Sequence, residues 1–228
     1  MPASDTTSGE APAPRSLKER QREERAALIL QAAEAVLAEK GYHDTSMDEI
    51  AARVGIAKGT IYLHYPSKDD LVIALFVREM ASFRRFIEQT ATEPLPARER
   101  LEAVLRHVYG GMRSERRQLF ASLSANMGLP QGLFAKHAEL REQVAGFSAV
   151  LRTVFAEGQA AGEFDKRIPA GVMLTSFLAL LTPRSYLTLL DQEQLTTDEL
   201  VWAVGRIFFH GIAEGSSSYQ SDLDRQHS

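Results

Sequence analysis

The sequence predicts an all-α protein, with a three-helix N-terminal domain joined by a long fourth helix to a larger helical C-terminal domain, about nine helices in all. Three observations predict it. Apolar residues recur at helical spacing from about residue 23 to about residue 213, with no alternating strand pattern and no repeat of fixed period. Glycine, proline and capping residues cut that periodicity into segments of helix length. The two halves also differ in composition, since all eleven phenylalanines lie beyond Leu75.

The first helix is expected from Glu23 to Lys40. Leu28, Ala32, Val36 and Ile29, Ala33, Leu37 form adjacent i, i+4 rows, and Gly41 ends it. Ser46-Met-Asp-Glu49 reads as a capping box that starts a second helix, and Asp48 and Glu49 suit the positive end of its dipole. Gly55 breaks that helix after Val54, and Lys58–His64 is a short third. Ser67 caps a long fourth helix running to about Gln89, which Glu93-Pro-Leu-Pro96 stops. Leu101, Val104, Leu105, Val108 and Met112 then define a fifth amphipathic helix. Leu119, Phe120, Leu123 and Met127 define a sixth, and Leu133 through Val154 a long seventh. A helix from Pro169 to about Leu190 is apolar on nearly every face. A last one, from Thr197 to Ala213, carries Leu200, Trp202, Val204, Ile207 and Phe208. Two such helices in a water-soluble chain point to a subunit interface, so a homodimer through residues 169–190 and 197–213 is expected. Residues 1–14 and 215–228, rich in small and polar residues, read as disordered tails. The domains between them are placed at 15–68 and 69–214.

The 228 residues are 44% hydrophobic and 25% charged, an ordinary globular balance. There is no cysteine, which removes disulfides and thiolate metal sites. No signal peptide is expected, since Met1–Ser16 has no apolar core, and the most apolar run, Ala170–Leu181, is shorter than the roughly 20 residues that a membrane span needs. A cytoplasmic protein without membrane contact is expected. Catalysis, a metal and a cofactor are not. There is no HExxH, no glycine-rich phosphate loop, no GxSxG, and the six histidines are scattered. An all-helical enzyme and a helical protein-interaction module are the alternative readings.

The net charge of −4 argues against a generic nucleic-acid coat, yet charge here is local. Arg53–Lys68 holds three cations and no acid, and Arg15–Arg25 holds five cations against three acids. The first of these islands coincides with a constrained spacing. Ala51 is small enough for a second helix to approach, Gly55 can take the positive φ of a sharp helix end, and Ile61 fills the angle between two helices, with Ile50, Val54 and Ile56 completing a small core. That is the spacing of a DNA-binding helix-turn-helix. With Ile61 pointing inward, Lys58, Gly59, Tyr62 and Leu63 face out.

The segment Thr45–Leu71, TSMDEIAARVGIAKGTIYLHYPSKDDL, resembles the N-terminal domain of the TetR family of transcriptional regulators, and the resemblance extends over about Arg25 to Phe76. It implies a helix-turn-helix DNA-binding domain followed by a helical domain that binds ligands and dimerises. It implies that Lys58 and Gly59 meet base edges in the major groove, a lysine being able to donate to guanine O6 and N7. It assigns phosphate contacts to Tyr62 and His64, and to Lys68 at the head of the fourth helix, where free N–H groups also favour an anion. Thr45 and Ser46 match the second helix start, also near the DNA backbone, and Thr60 divides evenly between helix-start packing and phosphate contact. Two positions depart from the family pattern. Ala57 stands where a capping Ser or Thr is usual, and Tyr65 where Phe is more frequent. The partner implied is a near-palindromic double-stranded DNA operator, and the function a homodimeric repressor released by a small effector.

An effector pocket between helices is apolar with a few polar groups that fix orientation. His137 interrupts the row Leu133, Leu140, Val144. Arg184 follows Met173, Phe177 and Leu180, and Asn126 lies at the edge of the Leu119–Met127 stripe. These three, with Tyr109, Met112, Phe120 and Phe177, are the expected pocket residues for a modest, largely apolar effector.

Overall fold

The computed structural model describes residues 16–111, 114–126, 137–181, 192 and 194–213. Among these it contains nine α-helices: α1 (Leu17–Asp44), α2 (Met47–Val54), α3 (Lys58–His64), α4 (Lys68–Ala91), α5 (Ala97–Gly110), α6 (Glu115–Asn126), α7 (Ala138–Ala160), α8 (Ala170–Leu180) and α9 (Thr197–Ile212). The chain divides into two units, with the boundary between Leu71 and Val72 inside α4.

In the first unit α2 packs on α1 and α3 on α2. Ile29, Ala33, Val36 and Leu37 of α1 bury against Ile50 and Ala51 of α2, Ile61 of α3 and Leu71. The α1 stripe is narrower than its two apolar rows predict, because Leu28 is exposed. The helix is also longer. It starts at Leu17, where Ser16 and Glu19 form a complete reciprocal capping box, so the basic segment ahead of Glu23 is helical from Leu17 onward. Gly41, at φ 77°, kinks α1 where the sequence placed its end, and a further turn follows to Asp44. Ser46 caps α2 by accepting from the Glu49 N–H at 3.2 Å, but only half of the expected box is present. The Glu49 carboxylate instead pairs with Lys40 on α1 at 2.6 Å. Gly55 takes the left-handed conformation, φ 76° and ψ 31°, and Ile56 N–H donates back to the Ala51 carbonyl at 3.0 Å.

In the second unit α5 is central, packing on α7 and α9, and α7 also packs on α8. Leu101, Val104, Leu105 and Val108 of α5 meet Leu151, Val154 and Phe155 of α7, and Leu200, Val201 and Val204 of α9. Phe155, Phe164, Phe177, Phe208 and Phe209 form an aromatic cluster with centroid separations of 5.2 to 6.3 Å. The chain between α7 and α8 is tied down by one antiparallel bridge, in which Asp165 N–H donates to the Ile212 carbonyl at 2.8 Å. Residues 182–190, the expected end of the apolar helix after Pro169, lie outside the described residues.

Candidate nucleic-acid interface and effector cavity

The α3 helix has one anchor and one open face. Ile61 is fully buried, and burial of such a side chain contributes about 1.5–3 kcal/mol. With it fixed, Lys58, Gly59, Tyr62 and Leu63 are exposed, the last by 78%. Thr60 and His64 are half-buried. Ala57 stands at the N-cap, and no side chain caps the helix. Its carbonyl accepts from Thr60 N–H at 2.8 Å. Tyr65 turns back toward α1, its hydroxyl 3.4 Å from the Ala26 carbonyl.

The cations of this unit differ in what they already bind. Lys58 pairs with Asp48 of α2 at 2.7 Å, and that hydrogen bond raises its pKa. Arg53 meets Glu39 through two bonds of 2.6 and 2.8 Å, which clamps α2 to α1. Lys68 donates to the carbonyls of Tyr42 and Thr45, at 2.7 and 3.0 Å, and its ammonium lies 4.3 Å from the centre of the Tyr42 ring. The Tyr42 hydroxyl in turn donates to Asp69; burial first and this carboxylate second push the phenol up to about 12. Lys68 therefore binds the end of α1 to the head of α4 as well as standing at the helix N-terminus. Ser67 caps α4 by accepting from the Asp70 N–H at 3.1 Å.

Of the two residues predicted at the start of α2, only Ser46 is exposed. Thr45 is a correction. It is 3% exposed and its hydroxyl donates to the Gly41 carbonyl at 2.7 Å, because the kink at Gly41 turns it inward. His64 sits near Arg22 and Arg25 of α1. Burial first, and then these two cations, hold its imidazole below the usual histidine range.

The second unit holds a cavity of about 310 Å³. Phe76, Glu79, Met80 and Phe83 of α4 line one side, with Val108 of α5, Arg117 and Phe120 of α6, Val144 and Phe147 of α7, and Leu178 and Leu181 at the end of α8. The aromatic wall is set by edge-on pairs, Phe76 with Phe120 at 5.1 Å and Phe83 with Phe147 at 5.4 Å.

Of the predicted pocket residues, Phe120 lines this cavity. Tyr109 does not: it is a core residue whose hydroxyl donates to the Leu180 carbonyl at 2.8 Å. Phe177 is likewise core, inside the aromatic cluster. His137 stands at the N-cap of α7, which begins at Ala138, without a side-chain capping bond, and it is not part of the wall. Met112 and Arg184 lie outside the described residues, as does the side chain of Asn126. Sequence reasoning missed Glu79 and Arg117. The signal for both was present: Glu79 falls between Phe76 and Phe83 at i+3 and i−4, and Arg117 lies three before Phe120.

Residues 29–75 match the family model of the bacterial regulatory proteins, tetR family. A fatty acid metabolism regulator protein of Bacillus subtilis is 29% identical over 138 residues, which cover 60% of this chain and 70% of that protein. A transcriptional regulator of the TetR/AcrR family from Thermobifida fusca superposes with a TM-score of 0.64 at 26% identity, over 86% of this chain and 99% of that one. The transcriptional regulator FadR of Bacillus subtilis, solved in complex with stearoyl-CoA, gives a TM-score of 0.62 at 25% identity, over 82% and 98%. With residues 29–75 matching that family model and a helical plan similar to those of the two solved regulators, the chain carries an N-terminal helix-turn-helix domain of the tetR family of bacterial regulatory proteins.

Proposed function

We propose that this regulator is a cytoplasmic homodimeric repressor that binds a near-palindromic operator and is released by a small, largely apolar effector. The observation that carries the DNA half is the orientation of α3. Ile61 is buried while Lys58, Gly59 and Tyr62 stand exposed on one face, so the helix can enter a major groove with its N-terminal turn against base edges. Lys58 and Gly59 read bases. Ser46, Thr60, Tyr62 and His64 meet phosphates, and Lys68 adds charge while holding the end of α1. Two such helices about 34 Å apart in a dimer read successive grooves.

The dimer interface is assigned to α8 and α9. Val172, Trp202 and Ile207 are exposed by 54%, 64% and 79%, large apolar surface that a second copy would cover. The cavity takes the effector. Helix α4 carries Lys68 in its first turn and Phe76, Glu79, Met80 and Phe83 farther along, so one element serves both ends of the response. The effector acts to the extent that it favours the geometry that does not fit DNA. The stearoyl-CoA bound by the Bacillus subtilis regulator makes an acyl chain a reasonable apolar moiety here.

A mobility-shift titration at fixed salt tests the reading, with DNA carrying an inverted repeat from upstream of the gene. A specific site should bind roughly a thousandfold more tightly than random DNA. Trp202→Glu with Ile207→Glu should yield a monomer by sedimentation and lose the site. Equal affinity for both DNAs, or a double variant that stays dimeric, defeats the corresponding half.

A further inference from the structure

The cavity wall carries one guanidinium, that of Arg117, with no hydrogen-bonded carboxylate among the described residues, although the charge of Glu79 acts on it from a distance. Arg116 and Arg117 are adjacent on α6, but only Arg116 is satisfied: its guanidinium reaches Glu79 Oε2 at 2.9 and 3.0 Å. Among the described residues no carboxylate or carbonyl bonds the guanidinium of Arg117, whose backbone N–H alone is engaged, by Ser114 Oγ. Arg117 is half-buried, lies against Gly111, and lines a wall otherwise made of Phe, Met, Val and Leu apart from Glu79. Burial lowers its pKa against the charge of Glu79, which raises it; burial first and the Arg117 charge second lower that of His107, which stacks on Phe86 at 3.8 Å. A guanidinium in an apolar wall is costly unless an anion meets it, and its planar fork matches a carboxylate.

Resting on the effector reading above, we propose that the cavity takes an acyl chain ending in a carboxylate, with the carboxylate on Arg117 and the chain among Phe76, Met80, Phe83 and Phe147. Glu79 also attracts Arg117, but its carboxylate is hydrogen-bonded to Arg116, which leaves the Arg117 guanidinium for the carboxylate of the ligand. The alternative source of negative charge for an acyl chain is the phosphates of a coenzyme A thioester, whose own carbonyl carries none.

Calorimetry on the full-length protein with decanoate, decanol and decanoyl-CoA tests the assignment. Decanoate should bind at least about tenfold more tightly than decanol. Arg117→Met should abolish that preference while leaving decanol binding intact, which shows that the cavity still folds. Bound decanoate should also raise the His107 pKa, followed by NMR, by placing a negative charge beside Arg117, whereas decanol should not. The proposal is overturned if decanol binds as well as decanoate, if Arg117→Met keeps the preference, or if none of the three binds. Decanoyl-CoA binding more tightly than decanoate, with no dependence on Arg117, also overturns it and assigns the anion to the phosphates. Operator release is a separate measurement. Decanoate bound through Arg117 without loss of operator affinity would defeat the release mechanism and leave this site standing.

Discussion

The Lys58 ammonium lies 2.7 Å from Asp48 Oδ2, so the cation that heads the recognition helix is already paired within its own domain. Both side chains are more than half exposed, at 65% and 55%, and such a pair exchanges partners easily. On the proposed role of Lys58, a guanine edge would compete with Asp48 for the ammonium, and the carboxylate would repel nearby phosphates. The pair holds the lysine in place but weakens attraction to DNA in general.

Asp48→Asn should therefore raise affinity for any duplex, by about two- to fivefold at low salt, and narrow the gap between operator and random DNA. Lys58→Ala should do the opposite at one position of the operator and relax base preference there. Fluorescence anisotropy with both DNAs at two salt concentrations separates the cases. Weaker binding by Asp48→Asn would mean that the acid positions the lysine instead of restraining it.

Lys68 presents a different balance. Its ammonium bridges the carbonyls of Tyr42 and Thr45 and lies over the Tyr42 ring, so replacing it removes structure as well as charge. Lys68→Met should lower the stability of the N-terminal unit by about 1–3 kcal/mol, because two backbone acceptors lose a charged donor. Binding should weaken alike for all sequences. Thermal unfolding followed by circular dichroism provides the first number; an unchanged melting temperature would leave Lys68 as a phosphate contact alone.

The contrast between Lys58 and Lys68 marks how far the sequence could be read. The turn was legible because Gly55, Ala51 and Ile61 answer to steric demands that few residues meet, and these demands fix which side of α3 faces out. Partners across helices were not legible. Nothing local tells that Glu49 leaves its capping box for Lys40, that Arg53 pairs with Glu39, or that Lys68 reaches back to Tyr42. The cavity was misread for a related reason. The search was for polar residues interrupting an apolar row, and His137 fitted only while it was placed inside a helix, whereas it stands at the N-cap of α7. Arg117 and Glu79 sit in charged surroundings in the sequence, and only the tertiary fold shows Arg116 taking up one of them.

Gly158 on α7 is a site where a single methyl group has no room. A Cβ there would lie 2.4 Å from the Phe164 ring and 2.9 Å from Ala97 Cβ, both inside the core. Gly158→Ala should destabilise the second unit by about 1–3 kcal/mol despite the better helix propensity of alanine. Gly146→Ala is the control. The nearest atoms to its Cβ would be those of the Arg84 guanidinium, the far end of a flexible side chain, so it should be neutral or stabilising. Urea denaturation of both variants decides; similar midpoints would show that Phe164 can move aside.

The depressed imidazole of His64 predicts one pH dependence for stability and, on the proposed phosphate contact, the opposite one for DNA binding. In the free protein, burial and the charges of Arg22 and Arg25 hold its imidazole below the ordinary 6.5. A depressed histidine contributes stability that is fully present above 6.5 and is lost as pH falls through the lower folded value. The free N-terminal unit should therefore soften on acidification. A phosphate placed against His64, Arg22 and Arg25 supplies the missing negative charge and raises the same pKa, so binding takes up a proton. Operator affinity at fixed salt should then increase from about pH 8 to about pH 6, and His64→Gln should flatten that slope while leaving affinity at the alkaline end nearly unchanged. An anisotropy titration across this range measures both. A slope that survives in His64→Gln would place the titrating group elsewhere and remove His64 from the phosphate contacts.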